Sequence, residues 1–319
     1  MGPVIRPAPQ QNGVTPVDIK SIDAAIEAYR LLLGEKDLKR LMFFCGLWEI
    51  QDSLGKAFAK EAGYTLPDLK EAEKWYWQEI PFLRRAPLSI NKESFATALE
   101  EISSYLVRDA GLKPELSACL ESFDWQELVD KSDMTLAGSD PVSYAQNFCA
   151  LAEELSGSKL LPQTSFIVFG YAIRPFLELA ASALLGSLSE AIEEGNLVHN
   201  KPLHCPVCGC DATAAFVGEN RSREGRGNAR QLYCGICGAV WEFERIRCAH
   251  CGTRNQKNLH YFHIEGDDSH RLHSCKECGD YIRTVFSEEL KVAFSFEVED
   301  VVMAHLDTVA NDPRFVVNA

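Results

Sequence analysis

Four short segments of the form Cys-x-x-Cys-Gly limit what this chain can fold into: Cys205–Gly209, Cys234–Gly238, Cys248–Gly252 and Cys275–Gly279. Two cysteines three apart on a tight turn can aim both sulfurs at one metal ion. N–H groups of the same turn can then donate to the sulfurs and offset their charge. The glycine that follows suits a positive φ, which lets the chain turn away from the metal. Each turn supplies two ligands and a tetrahedral site takes four, so the turns must pair. Intervals of 25, 10 and 23 residues separate them. The two long intervals each enclose a hairpin-sized loop, which pairs the first turn with the second and the third with the fourth. An interleaved pairing would need a longer crossover. Cys205, Cys208, Cys234 and Cys237 are then the expected ligands of one metal ion, and Cys248, Cys251, Cys275 and Cys278 those of another.

This arrangement predicts two consecutive rubredoxin-like or zinc-ribbon modules, residues 200–246 and 247–287, with Gly238–Arg247 as a strand leading from one to the next. Redox-active dithiols are the other use of Cys-x-x-Cys, but a thioredoxin-like motif needs a βαβ context, which the sequence lacks. Disulfide frameworks are typical of short secreted chains. This one has 319 residues, and Met1–Arg6 shows no basic stretch followed by an apolar run. Arg6 also stands where a myristoylation site would need Ser or Thr. A cytoplasmic location is expected, where clustered thiols read as metal ligands. Four thiolates accept zinc, which staples a ribbon too small to fold alone, or iron, which can carry an electron. A divalent ion leaves each site with net negative charge, and Arg245, Arg247 and Arg283 are close enough in sequence to offset it.

Upstream the chain changes character. Residues 1–16, rich in Pro, Gln and Gly, are expected to be disordered. Residues 17–195 read as an all-helical domain of about seven helices. Ile19, Ile22, Ile26, Tyr29 and Leu33 fall on one helical face, with Gly34 as a stop. Leu38, Met42, Cys45, Ile50, Leu54 and Phe58 continue less regularly in a second helix ending near Gly63. Asp140 before Pro141 makes an N-cap and first-turn pair. The longest apolar stretch, Ser165–Leu188, is interrupted by Arg174, Pro175 and Glu178, and reads as a buried helix pair rather than a membrane span. Residues 1–199 carry 18 Lys and Arg against 29 Asp and Glu, whereas residues 200–283 carry 12 against 10, so the charge changes where the composition does, at Gly195. Residues 288–319 hold a closing helix, Glu297–Val309, and a tail. The fold class expected is α+β and multi-domain: an N-terminal all-α helical domain followed by two small rubredoxin-like or zinc-ribbon metal modules of four cysteines each.

Other residues have plainer readings. Cys210 follows the first turn closely and reads as a loop cysteine before a reactive or ligand-exchanging thiol. Cys45, Cys119 and Cys149 sit in helical apolar patterns as small core residues. His204, His250, His260, His263, His270 and His273 lie near the cysteines, but four thiols already complete each site. Glu265–Asp268 reads as a hairpin turn between the β-like runs Tyr261–Ile264 and His270–His273 before it reads as a catalytic carboxylate pair. Arg221, Arg223, Arg226 and Arg230 form a basic loop, either a grip for phosphate or an acidic peptide, or a solvated hairpin tip. Nucleic acid is not an expected partner: the net charge is −14, and the basic loop lacks interleaved aromatics. No phosphate-binding loop, dinucleotide fingerprint or nucleophile elbow is present in the sequence.

In this region the chain resembles the FdhE family of formate dehydrogenase accessory proteins. The matching elements are Cys205–Gly209, Leu232–Cys234 with Cys237, Trp241-Glu242, Arg245–Cys248, Cys251-Gly252, Tyr261-Phe262, Ile264–Asp268, Cys275, Cys278-Gly279, Tyr281 and Thr284-Val285. Val301–Leu306 looks like the family's closing helix, and the helical part resembles it only in kind, as at Leu41–Phe44 ahead of Gln51. The loop Glu219–Arg230 is richer in arginine than the family pattern, and Cys210 stands where a small polar residue is usual. The resemblance implies a cytoplasmic protein that binds iron through its Cys-x-x-Cys motifs. It implies recognition of a formate dehydrogenase catalytic subunit before export by the twin-arginine pathway, and a need for that protein if the enzyme is to become active. It implies an accessory factor, not an enzyme. The rival readings are a nucleic-acid-binding zinc-ribbon protein and a rubredoxin-like electron carrier.

Overall fold

The computed structural model of the chain describes residues 13–14, 18–59, 64–195, 200–219 and 228–312. The expectation of disorder over residues 1–16 falls outside those residues except at 13–14. The second helix's expected end at Gly63 and three of the loop arginines, Arg221, Arg223 and Arg226, lie outside them too.

Among the described residues, a two-residue strand, β1 (Gly13–Val14), is followed by ten helices: α1 (Ile19–Tyr29), α2 (Glu35–Phe58), α3 (Leu69–Trp77), α4 (Phe82–Arg85), α5 (Lys92–Asp109), α6 (Pro114–Glu121), α7 (Trp125–Lys131), α8 (Met134–Ser139), α9 (Pro141–Ser156) and α10 (Leu161–Gly195). About seven were expected; the surplus is in pieces such as α4, α7 and α8, too short to show a helical period. Asp140 caps α9 as read, its carboxylate accepting from the Ser143 N–H, with Pro141 in the first turn. Gly34 does not stop α1. That helix ends at Tyr29, leaving Leu31 and Leu32 exposed, and Gly34 is the extended N-cap of α2.

The apolar stretch read as a helix pair is one helix of 35 residues, α10, with Pro175 inside it. A proline there removes a backbone hydrogen bond, and sequence reading breaks the helix at it. Burial holds it together: Val168, Phe169, Ala172, Ile173, Phe176 and Leu177, on both sides of Pro175, are all core residues. Residues 161–192 have the length and hydropathy of a membrane span, but 61% of the most apolar window is buried within the protein, as in the core helix of a globular domain.

Downstream lie β2 (Ala214–Glu219), β3 (Asn228–Tyr233), β4 (Ala239–Phe243), β5 (Leu259–His263), β6 (His270–Cys275) and β7 (Tyr281–Phe286), then α11 (Phe296–Val302) and α12 (Ala304–Ala310). The closing helix is thus two short ones, broken at Met303. The Glu265–Asp268 segment is the turn of the β5–β6 hairpin, with Gly266 at φ +90°. All strands join one sheet in the order β1-β4-β3-β2-β7-β6-β5. Neighbours are antiparallel except β2 and β7, which run parallel with Ala214 opposite Arg283 and Val217 opposite Phe286. That parallel pairing fuses the strands of the first cysteine region to those of the second.

Each face of the sheet covers a different core. Ala215, Leu232, Trp241 and Phe243 face a core shared with α5, α9 and α10. Phe216, Tyr233, Val240, Leu272 and Val285 face one shared with α1, α11 and α12. Helix α2 serves both: Leu47, Leu54 and Phe58 enter the first core, and Leu41, Cys45 and Trp48 the second. This is why its apolar pattern is irregular in sequence.

Two buried polar networks pin the helices to the sheet. Arg174 of α10 pairs with Glu178 and, at 2.7 Å, with Glu297 of α11, and donates to the Tyr233 hydroxyl of β3 at 2.7 Å. In the second network the Tyr29 hydroxyl donates to the Glu299 carboxylate at 2.9 Å. His270 bridges Glu299, at 2.7 Å, to Asp267, at 2.8 Å.

Candidate metal centres

All four Cys-x-x-Cys-Gly turns have one backbone design. The first cysteine's N–H donates to the carbonyl five residues on, and its own carbonyl accepts from the glycine N–H: Cys205 with Cys210 and Gly209, Cys234 with Ala239 and Gly238, Cys248 with Thr253 and Gly252, Cys275 with Asp280 and Gly279. The four glycines lie at φ +80°, +72°, +74° and +81°, a region other residues enter at a cost. The expected donation from turn to sulfur is present too, with the His250 N–H 3.4 Å from the Cys248 sulfur.

These turns meet in pairs, first with second and third with fourth. The Cys205 sulfur is 3.4 Å from that of Cys237 and Cys208 is 3.5 Å from Cys234; Cys248 is 3.7 Å from Cys278 and Cys251 is 3.8 Å from Cys275. Within each set every sulfur lies within 4.8 Å of the other three. A tetrahedral ion with metal–sulfur bonds of about 2.3 Å sets its sulfurs about 3.8 Å apart. Both sets have the ligand number and spacing to hold a metal ion, and neither contains a carboxylate or imidazole among the described residues.

The two sets differ in setting. Cys205, Cys208, Cys234 and Cys237 are all buried at 2% exposure or less. The first turn is held against α4, where the N–H groups of Phe82 and Leu83 donate to the carbonyls of Pro206 and Val207 at 2.9 and 3.1 Å. Arg174 of α10 donates to the Gly235 carbonyl in the second turn. The first cluster therefore sits in the joint between helices and sheet. In the second, Cys248 and Cys275 are buried while Cys251 and Cys278 are exposed, so one edge faces solvent.

Charge follows burial. In the first cluster, hydrogen bonds from Cys205 and the neighbouring sulfurs hold the Cys234 thiol well below its ordinary range. Hydrogen bonding to Cys205 and the other sulfurs pushes Cys208 well above it, and burial does the same to Cys237. Four thiolates so close require a cation among them. In the second cluster burial works against the Cys275 thiolate, but N–H groups of Cys278 and Glu277 hold it low.

Cys210, read as a loop cysteine, is half-buried with its sulfur against the first cluster. Its hydrogen bond with Cys208 favours the thiolate, but that with Cys234, together with burial, leaves the thiol raised. Cys45 is buried, whereas Cys119 and Cys149 are only half-buried. Most of the histidines have other work, while the buried Nε2 of His260 has no hydrogen-bond partner among the described residues. His250 Nε2 lies 2.9 Å from the Tyr281 carbonyl, His204 pairs with Asp211 at the surface, and His263 is 3.6 Å from Asp268. His273 is buried, stacked on Tyr261 at 4.3 Å, and burial, then the charges of Arg230 and His260, pushes its pKa down to about 3. Asp267 serves His270: burial opposes its ionisation, yet His270 holds the carboxyl below its ordinary value.

Of the arginines expected to offset the clusters, Arg247 lies against Gly252 of the third turn but, like Arg283, is paired with a carboxylate. Arg247 pairs with Glu244 at 3.2 Å, Arg283 with Asp300 at 2.6 Å, and Arg245 is exposed. Arg230, read with an exposed loop, is on β3 and fully buried. The pairs Arg174–Glu297 and His270–Glu299 were also missed. For the first, the signal was a charged residue inside the longest apolar stretch.

No protein-family model matches the chain. An FdhE homologue of Aquifex aeolicus is 30% identical over 113 residues, which is 35% of this chain and 38% of that protein. One of Stutzerimonas stutzeri is 33% identical over 85 residues, 26% of each. The aligned stretches thus span well under half of these relatives. The crystal structure of the FdhE protein from Pseudomonas aeruginosa superposes over 92% of this chain and 89% of its own, with a TM-score of 0.54 at 18% identity. At that identity the likeness is one of fold. The chain is FdhE-like in sequence over part of its length and in fold over nearly all of it.

Proposed function

We propose that the chain is a cytoplasmic accessory protein for the maturation of a formate dehydrogenase, binding that enzyme's catalytic subunit and two metal ions, one in each cysteine cluster. The observation that carries this reading is that the likeness to the FdhE fold covers 92% of a chain that also carries two four-cysteine clusters. A free electron carrier or a nucleic-acid-binding ribbon has no use for the large helical part. Iron is the metal favoured by the resemblance, and zinc fits the same four thiolates. In this reading the chain is a factor acting on another protein, not a catalyst.

One observation favours a second reading. Cys251 and Cys278 bring an edge of the second cluster to the surface, as electron exchange through a rubredoxin-type iron centre would require. The two readings separate by experiment. The tagged full chain, purified anaerobically from its own cells, should bring down a formate dehydrogenase catalytic subunit, and the paired change of Cys251 and Cys278 to Ser should weaken that capture. An electron carrier would show a red chromophore that bleaches reversibly on reduction and would capture no such subunit.

A further inference from the structure

Arg230 is the only fully buried arginine among the described residues, at 0% exposure. No carboxylate pairs with it there. One nitrogen, Nη1, donates to the Arg247 carbonyl at 3.1 Å; Nε and Nη2 have no hydrogen-bond partner, and the ring of Phe243 lies 5.7 Å from the guanidinium carbon. A guanidinium is always charged, and a buried charge is costly unless something of opposite sign lies near. The carbonyl it holds belongs to the peptide group that joins Arg247 to Cys248, a member of the second cluster. Through that peptide group the guanidinium lies beside a cluster that becomes anionic once its four thiolates hold a divalent ion. His273, the buried imidazole nearby, stays neutral and adds no second positive charge.

We propose that Arg230 is the built-in counter-charge of the second cysteine cluster, an inference that rests on the reading that this cluster holds a metal ion. Four thiolates around a divalent ion carry a net charge of −2. A cation fixed one peptide group from Cys248 stabilises that complex and is stabilised by it. Arg230 comes from β3, between the cysteines of the first cluster, so the strand of one cysteine region supplies the charge that the other needs. Metal binding at the second cluster and the packing of β3 are thereby coupled. Arg230 acts through the cluster as a positioning residue and is not itself a ligand.

The test uses the full chain with Arg230→Met, which keeps the bulk and removes the charge, and Arg230→Lys, which keeps the charge. Cobalt(II) bound to thiolates is followed by its absorption during competition with a chelator. The component lost in Cys251→Ser reports the second cluster. The expected result is that Arg230→Met weakens that component about 10- to 100-fold, the range typical of groups just outside a metal's ligands, while Arg230→Lys recovers most of the loss. The metal-free Arg230→Met chain should also resist denaturant at least as well as the metal-free parent, since an uncompensated buried cation has gone. A purely structural arginine would give the opposite: loss of stability with and without metal, and unchanged affinity. That result overturns the proposal while leaving the second centre intact. A parent chain that binds no cobalt at the second cluster overturns both.

Discussion

His270 Nε2 and Glu299 Oε2 lie 2.7 Å apart at a point water does not reach, with the Glu299 side chain fully buried and that of His270 5% exposed. The other ring nitrogen contacts Asp267, so an imidazolium between two carboxylates ties the β5–β6 turn to α11, and through Tyr29 to α1. Burial disfavours the cation, but hydrogen bonds to Asp267 and Glu299 and their charges outweigh it, raising the His270 pKa to about 9.

This raised value sets a pH window. Since the folded pKa exceeds the unfolded value of about 6.5, the stabilisation is fully present below that pH and is lost as pH rises through 9. A shift of that size corresponds to at most about 3 kcal/mol. Denaturant midpoints should fall between pH 6.5 and pH 9, and His270→Gln should remove most of that fall. A parent chain equally stable across the window would refute the assignment.

Breaking the Arg174 network should be costly in a different way. Arg174→Met leaves Glu297 buried without its cation, and loss of one partner of a buried pair costs about 3–5 kcal/mol. The unfolding midpoint of this variant should drop accordingly throughout the neutral pH range, unlike that of His270→Gln. A change below about 1 kcal/mol would mean that the hydroxyls of Tyr233 and Ser295 suffice for Glu297.

The turn glycines separate local strain from docking. Gly279 is at φ +81° with open space beside it, so Gly279→Ala should cost only the left-handed penalty, about 1–2 kcal/mol. Gly209 has the same conformation, but an added Cβ would fall 2.9 Å from Pro81. Gly209→Ala should cost about 1–3 kcal/mol more by pushing the first turn off α4. Equal losses in thermal or denaturant unfolding would show that Pro81 yields freely.

What the sequence shows plainly is what is local. Each Cys-x-x-Cys-Gly turn is closed by hydrogen bonds within six residues, so its design and its glycine were readable, and interval lengths were enough to pair the turns. The β5–β6 hairpin was readable for the same reason. Long-range features were hidden. Nothing near Ala214 or Tyr281 announces that β2 and β7 pair in parallel. Pro175 carries a strong local signal for a break that burial overrides. Arg230 sits in an arginine- and glycine-rich run that looks solvated, and only the packing of the sheet shows it buried. Arg247 and Arg283 lie near the cysteines in sequence, yet carboxylates of Glu244 and Asp300 take their charge.

The unlike settings of the two clusters predict unlike release. A chelator should remove the ion behind Cys251 and Cys278 from the native chain, and the one behind Cys205, Cys208, Cys234 and Cys237 only as the chain unfolds. Release of both in one step with the fold intact would contradict the difference in burial.

Eight cysteines arranged as two tetrahedral sets call for two bound ions, which elemental analysis of the anaerobically purified full chain counts. The expected result is two metal ions per chain, falling to one in Cys251→Ser. A folded chain with no bound metal, or with the same content after that change, would contradict it.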